Sequence, residues 1–171
     1  MLKNAKNRIL IASMAFLIGF TNTAFGLPAK IQPAVQKVAV DPITAILRSK
    51  TLTKDQILYV LKRVGFKGTS LRVAYGVVMK ESQGHPGSHD LNPRTGDDSY
   101  GLFQINLYGS LKNRIAYYRL DSREDLKNPV INAAVAYVMS SNGKNFSPWH
   151  VSYFNKYRTS NSAVNAYLGK V

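Results

Sequence analysis

Apolar residues recur at helical spacing in several short runs, and glycine or proline closes each run before it grows long. This punctuation limits the chain to a packed set of short helices with little room for sheet. Thr53 followed by Gln56 has the form of a capping box. Ile57, Leu58, Leu61 and Val64 then repeat, and Gly65 is a helix stop. A second helix, capped at Thr69 or Ser70, carries Leu71, Ala74, Val77 and Val78 and runs directly into Glu81. Gly84, Pro86 and Gly87 end it. A third helix is expected at 111–120. Asn128 caps a fourth, with Pro129 at its first position and a buried stripe of Val130, Ala133, Ala134, Tyr137 and Val138. Ser147-Pro148 repeats the cap-and-proline signal before Trp149, and a terminal helix covers about 160–168. Residues 83–98 read as a polar loop, and 100–105 as a strand of a small hairpin or a tight turn. The expected class is a mainly α domain with one small hairpin or loop segment.

Packing alone must hold this domain, because the 171 residues include no cysteine. That also excludes thiol catalysis and cysteine-based metal sites. The first residues have the form of a secretory signal. Lys3, Lys6 and Arg8 precede an apolar run at 9–20, and small residues follow at Ala24 and Gly26. The run is too short for a membrane span. The expected organisation is a signal peptide at 1–26, a linker or N-terminal arm at 27–50, and a folded domain at 51–171. Pro28, Pro33 and Pro42 interrupt the arm, which has room for a short helix at 43–48.

Taking the signal's three basic residues from the 23 of the whole chain leaves 20 against 9 acidic residues, a net charge of +11. Such a surface suits an anionic partner. Export and the lack of basic-aromatic interleaving argue against nucleic acid. The expected partner is the anionic surface of a bacterial envelope, met outside the cytoplasm by a monomer.

Only two glutamates occur, Glu81 and Glu124. Glu124 lies in a charged cluster and reads as a solvated surface group. Glu81 shares a helix face with Ala74, Val77 and Val78. Partial desolvation and the negative end of the helix both favour the protonated acid that glycosidic cleavage needs. Periodicity alone leaves it open whether Glu81 is that acid or a boundary residue reaching past the helix end. The segment Ser99-Tyr100-Gly101-Leu102-Phe103-Gln104-Ile105-Asn106 has a glycine for close backbone approach and two amides suited to sugar hydroxyls. An ordinary turn and strand would use the same residues. Asp97 and Asp98 read equally as loop caps or as a second carboxylate. His85, His89 and Asp90 do not form a helical metal motif, because Pro86, Gly87 and Ser88 intervene. There is no phosphate-cradling glycine loop and no G-x-S-x-G elbow, so no metal or cofactor is expected.

Glu81-Ser82, the polar loop, the 99–106 segment and the later run Asp125-Leu126-Lys127-Asn128-Pro129 leading to Tyr137 occur in an order that resembles the lysozyme-like superfamily. That superfamily includes the SLT-type lytic transglycosylases, goose-type lysozymes and phage lysins. Phe146-Ser147-Pro148-Trp149 resembles a turn of the phage-type members. The resemblance covers roughly 54–155. It implies a lysozyme-like fold whose hairpin or loop lines a glycan cleft, and cleavage of the β-1,4 bond between N-acetylmuramic acid and N-acetylglucosamine in peptidoglycan. It makes Glu81 the catalytic acid and base. Ser99, Gln104, Asn106 and Tyr137 become sugar contacts, with Tyr100 and Trp149 as further aromatic candidates that could equally be core. A lytic transglycosylase needs Glu81 alone, whereas a hydrolytic lysozyme would add Asp97 or Asp98. The late Ala-Tyr-Asn segment of many SLT enzymes has only a loose echo at Asn165-Ala166-Tyr167. A third alternative is a glycan-binding module of the same fold without catalysis.

Overall fold

Asp41 and Pro42 start the first helix, α1 (Pro42–Arg48). Asp41 Oδ1 accepts the Ile43 N–H at 3.1 Å, and Pro42 takes a position where no N–H is needed. The computed structural model of the chain describes residues 41–155 and 158–171, without the side chains of 153–158. The signal segment and the arm before residue 41 lie outside the described residues. Ile46 of α1 is buried in the same core as the helices that follow.

The capping box at Thr53 forms as its sequence suggests. Gln56 N–H donates to Thr53 Oγ1, and Thr53 N–H donates to Gln56 Oε1. It opens α2 (Lys54–Val64), which Gly65 closes in the left-handed region at φ 117°. A side chain at Gly65 would also collide with the Tyr137 ring, whose Cζ lies 2.8 Å from the place a Cβ would take.

Helix α3 (Gly68–Glu81) begins earlier than the expected cap at Thr69 or Ser70. Ser70 sits inside the first turn, where its hydroxyl accepts the Lys67 N–H and donates to the Lys67 carbonyl. The helix is also buried more evenly than a single stripe: Leu71, Val73, Ala74, Tyr75, Gly76, Val77 and Val78 are all inside. The cause is contact on two sides. Helix α2 packs on one, and a terminal helix α6 (Ser162–Leu168), capped by Asn161, crosses at Gly76. A Cβ at Gly76 would stand 2.8 Å from Val164 Cγ1.

The stretch expected as a loop contains a hairpin. Strands β1 (His89–Asn92) and β2 (Asp97–Tyr100) pair antiparallel, with His89 opposite Tyr100 and Asn92 opposite Asp97. Strand β3 (Ile105–Asn106) joins the other edge of β2, with Ser99 opposite Asn106. The tight turn Gly101–Gln104 links β2 to β3, and Gln104 N–H donates to the Gly101 carbonyl. The expected helix at 111–120 divides into a 3-10 stretch, Gly109–Asn113, and one α turn, α4 (Arg114–Tyr117), with no side-chain cap on either.

Helix α5 (Pro129–Met139) starts as expected, with Asn128 Oδ1 accepting the Val130 and Ile131 N–H groups. Its inward face is rotated from the expected one. Ala134 and Val138 are exposed, and the buried residues are Pro129, Asn132, Ala133, Val135 and Ala136. A 3-10 turn, Ser147–Trp149, and a small antiparallel ribbon of β4 (Tyr153–Asn155) and β5 (Arg158–Thr159) precede α6. Ser147 is the first residue of the turn and not its cap; Phe146 holds the cap position without a side-chain bond, and Asn145 Oδ1 accepts the Ser147 N–H at 2.9 Å. The result is the expected mainly α fold with a small three-stranded sheet. Among the described residues no helix is long and apolar enough to cross a membrane.

One buried amide joins the sheet to the helices. Asn132 has no solvent exposure. Its Oδ1 accepts the Phe103 N–H at 2.9 Å, and its Nδ2 donates to the Tyr100 and Leu126 carbonyls, each at 2.9 Å. Gly101 makes this approach possible. It has φ +74°, and a Cβ there would fall 2.1 Å from the Leu126 carbonyl oxygen and 2.3 Å from Asn132 Nδ2. Gly101→Ala therefore combines left-handed strain with overpacking against backbone, a destabilisation of about 3 kcal/mol. Thermal unfolding should show a Tm lower by on the order of 10 °C. Gly87→Ala, whose Cβ would meet nothing within 4 Å, should change it little.

Candidate functional site

Glu81 is the last residue of α3, and the serine after it shapes the helix end. Ser82 is buried; its hydroxyl donates to the Val78 carbonyl at 3.1 Å and accepts the Gly84 N–H at 3.3 Å. The Glu81 side chain is 20% exposed, and its Oε1 receives Lys80 Nζ at 2.6 Å. The loop beyond it is held at two points. Leu52 N–H donates to the Gly84 carbonyl, and Gly101 N–H donates to the Ser88 carbonyl. Gln104, in the left-handed region at φ 46°, adds its side-chain amide to the Ser88 and Gly101 carbonyls. Thus the 101–104 turn docks on the loop that leaves Glu81.

The two candidate second carboxylates point to opposite faces of β2, because alternate residues of a strand do so. On one face Asp98 accepts from His89 Nε2 at 2.8 Å and from Arg123 Nη1 at 3.1 Å. Tyr100 shares that face, with its ring stacked on His89 at 4.2 Å and its hydroxyl 3.3 Å from Arg123. Burial alone would raise the Asp98 carboxyl. Hydrogen bonds from His89 and Tyr100 and the charges of Arg123 and His89 outweigh burial and hold it below its ordinary value of 3.8. On the other face, half-buried Asp97 accepts the Ser99 hydroxyl.

Several expected sugar contacts are instead engaged inside the protein. The Asn106 amide has both ends occupied: Oδ1 takes the Asp98 and Tyr108 N–H groups, and Nδ2 donates to the Gly96 carbonyl. Ser99 and Tyr100 are buried. Trp149 is core, its Nε1 donating to the Phe103 carbonyl at 2.8 Å and its ring packed between Phe103 and Phe146. Tyr137 meets Phe66 edge-on at 5.0 Å and covers Gly65, the residue that closes α2 three positions before α3 begins. A 14-residue helix separates that end from Glu81, about 20 Å at 1.5 Å per residue. Tyr137 therefore packs near the opposite end of α3 from Glu81. Gly101 admits Asn132 and Leu126 where a ligand was expected. The side chains of Glu81, Asp97 and Gln104 retain partial access to solvent.

Three partners were not legible in sequence. Lys80 and Arg123 carried no pattern that separates them from other surface cations, and His89 fell in a segment without apolar alternation. Glu124 is exposed and paired with Lys127 at 2.7 Å, as a surface group. His85 Nδ1 lies 2.8 Å from the Ser82 carbonyl. Among the described residues no three His, Asp or Glu side chains are grouped to hold a metal.

The lowered Asp98 carboxyl has a thermodynamic consequence. Its stabilising effect is present above the ordinary carboxylate pKa and is lost as pH falls through its folded-state pKa. Asp98→Asn should lose about 1 kcal/mol or less at neutral pH, because His89 and Arg123, 34% and 50% exposed, can turn to water in place of the carboxylate. Melting curves between pH 6 and the acid limit should also slope less steeply for the variant than for the native chain.

A family model described as a lysozyme-like domain matches residues 59–151. No curated protein and no solved structure matches the chain. The matched span runs from α2 through the turn that carries Trp149, so it includes Glu81, the three-stranded sheet and α5. The chain belongs to the lysozyme-like domain family of SLT type, whose domains act on peptidoglycan.

Proposed function

We propose that this protein cleaves the β-1,4 bond between N-acetylmuramic acid and N-acetylglucosamine as a lytic transglycosylase, with Glu81 as its single acid and base. Glu81 gives its proton to the glycosidic oxygen as the bond to C1 of the muramyl sugar breaks. The carboxylate then takes the proton of that sugar's 6-hydroxyl while its oxygen bonds to C1. The product is a 1,6-anhydro end, no water is consumed, and Glu81 returns to its starting state. The observation that carries this reading is the state of Asp98. The Arg123 guanidinium, the His89 imidazole and the Tyr100 phenol already engage it, so it is tied into the fold where a hydrolase would need a free second carboxylate. Gln104, at the edge of the turn, has its Nε2 engaged by the Ser88 and Gly101 carbonyls, and its Oε1 would be the atom to accept a sugar hydroxyl.

The setting we propose is the envelope outside the cytoplasmic membrane. Residues 1–26 would direct export and be removed after Gly26; of the arm expected at 27–50, only the part before α1 would link to the domain, since Ile46 of α1 is buried in its core. The basic mature chain, a monomer, would be held on anionic wall and membrane surfaces. No cofactor enters the chemistry.

Glu81→Gln should lower the lysis of purified peptidoglycan at least 100-fold, the scale of a lost general acid, with an unchanged melting curve. Near-native activity would overturn the mechanism. Mass spectrometry of the digest should find fragments lighter by one water than hydrolysis products. Asp97→Asn should keep activity within a few-fold. Reducing ends together with an inactive Asp97→Asn variant would identify a hydrolytic lysozyme instead.

A further inference from the structure

Beyond Glu81 the chain folds back on the end of α3. The Ser82 carbonyl accepts the His85 backbone N–H at 3.0 Å and has the His85 ring nitrogen Nδ1 at 2.8 Å. A carbonyl oxygen only accepts, so Nδ1 carries a hydrogen towards it. From this point the loop through Ser88 forms one wall of an open cavity of about 500 Å³. The end of α1, with Leu47 and Lys50, forms a second wall, and Lys127 closes a third side. The volume is in the range of small-ligand sites, and the cavity shares Ser88 with the Gln104 turn.

The lining has a one-sided chemistry. It holds two ammonium groups and an imidazole, and no carboxylate. Lys50 makes no ion pair among the described residues. Lys127 pairs with Glu124, which is 60% exposed, and an ion pair so open to water holds its lysine weakly. Leu47 adds an apolar surface that is 49% exposed. Gly87 leaves the rim empty, because nothing lies within 4 Å of the Cβ position there. A ligand that matches these features carries carboxylates beside small apolar side chains. In peptidoglycan that describes the short peptide stem attached to each muramyl residue.

We propose that this cavity is a subsite for the peptide stem of the muramyl residue bound near Glu81. Lys50 and Lys127 take a stem carboxylate, and Leu47 packs against its small side chains. The proposal rests on the peptidoglycan-cleaving role and names the part of the substrate recognised beside the cut bond. It makes the protein a reader of stem-bearing strands, favouring them over strands whose stems have been removed.

The test compares purified strands that carry stems with strands stripped of them by an amidase, using the full chain. The native protein should show a KM about tenfold lower for stem-bearing strands, with similar kcat. The ratio of the two KM values should fall towards one in a Lys50→Gln, Lys127→Gln double variant. It should fall likewise in Gly87→Phe, which fills the rim and removes no charge. A native ratio near one, or a ratio that survives both variants, would overturn the subsite. Titration of free stem peptide into the Glu81→Gln protein separates this proposal from the catalytic one. Binding should persist there without cleavage and weaken with Lys50→Gln, Lys127→Gln. Inorganic phosphate binding as tightly as the peptide would assign the cavity to a phosphate-bearing wall polymer and overturn the stem assignment.

Discussion

The Asn132 carboxamide is the contact on which the site's geometry depends. It is buried and makes three hydrogen bonds to backbone groups of two separate segments, the 100–103 turn and the 3-10 stretch Arg123–Lys127. An amide in that place with every bond made fixes one arrangement, because any other leaves a buried polar group unpaired. The consequences pass outward along the turn. Phe103 is held with its ring near Phe66 and Trp149, and its carbonyl takes the Trp149 indole N–H. Gly101 and Gln104 are then positioned to bond Ser88, which anchors the loop that leaves Glu81. No described buried side-chain nitrogen or oxygen lacks a partner.

This network explains what sequence could and could not disclose. Helix ends were legible because their signals are local: Thr53 with Gln56, Gly65, and Asn128 with Pro129 each act within one turn. The inward face of α5 was not, since a polarity pattern assigns Asn132 to solvent, whereas three backbone partners from distant segments draw it inside. The hairpin was hidden for a related reason. His89–Asn92 is exposed at every position, so it has no apolar alternation to detect. Its register is held by backbone pairing and by His89 meeting Tyr100 and Asp98.

Much the same holds for the candidate site. Glu81 was visible because an apolar stripe ends on it. The 99–106 segment was visible as a pattern, yet most of its side chains support the fold. Ser99, Tyr100 and Asn106 are engaged with Asp97, Arg123, His89 and the strand backbone. A motif that recurs beside a glycan cleft need not touch glycan, because shaping a tight turn between a helix loop and a sheet demands its own set of glycine and amide residues.

The two faces of β2 bear directly on the reaction. Asp97 and Asp98 are neighbours in sequence, but only one of them can face any given ligand. The one with the stronger electrostatic environment, Asp98, is held ionised by His89 and Arg123 and belongs to the packing between the sheet and the 3-10 stretch. A second carboxylate for hydrolysis would therefore have to be Asp97, which shares an oxygen with Ser99. Glu81 stands differently: Lys80 is adjacent in the chain, contacts one oxygen, and leaves Oε2 without a partner among the described residues. In the proposed chemistry a glycosidic oxygen, which only accepts, would need Oε2 to carry the proton, and Lys80, itself 31% exposed, is open to displacement as that proton is taken up. This asymmetry, one carboxylate locked into the fold and one open to exchange, is the ground on which we propose single-acid chemistry.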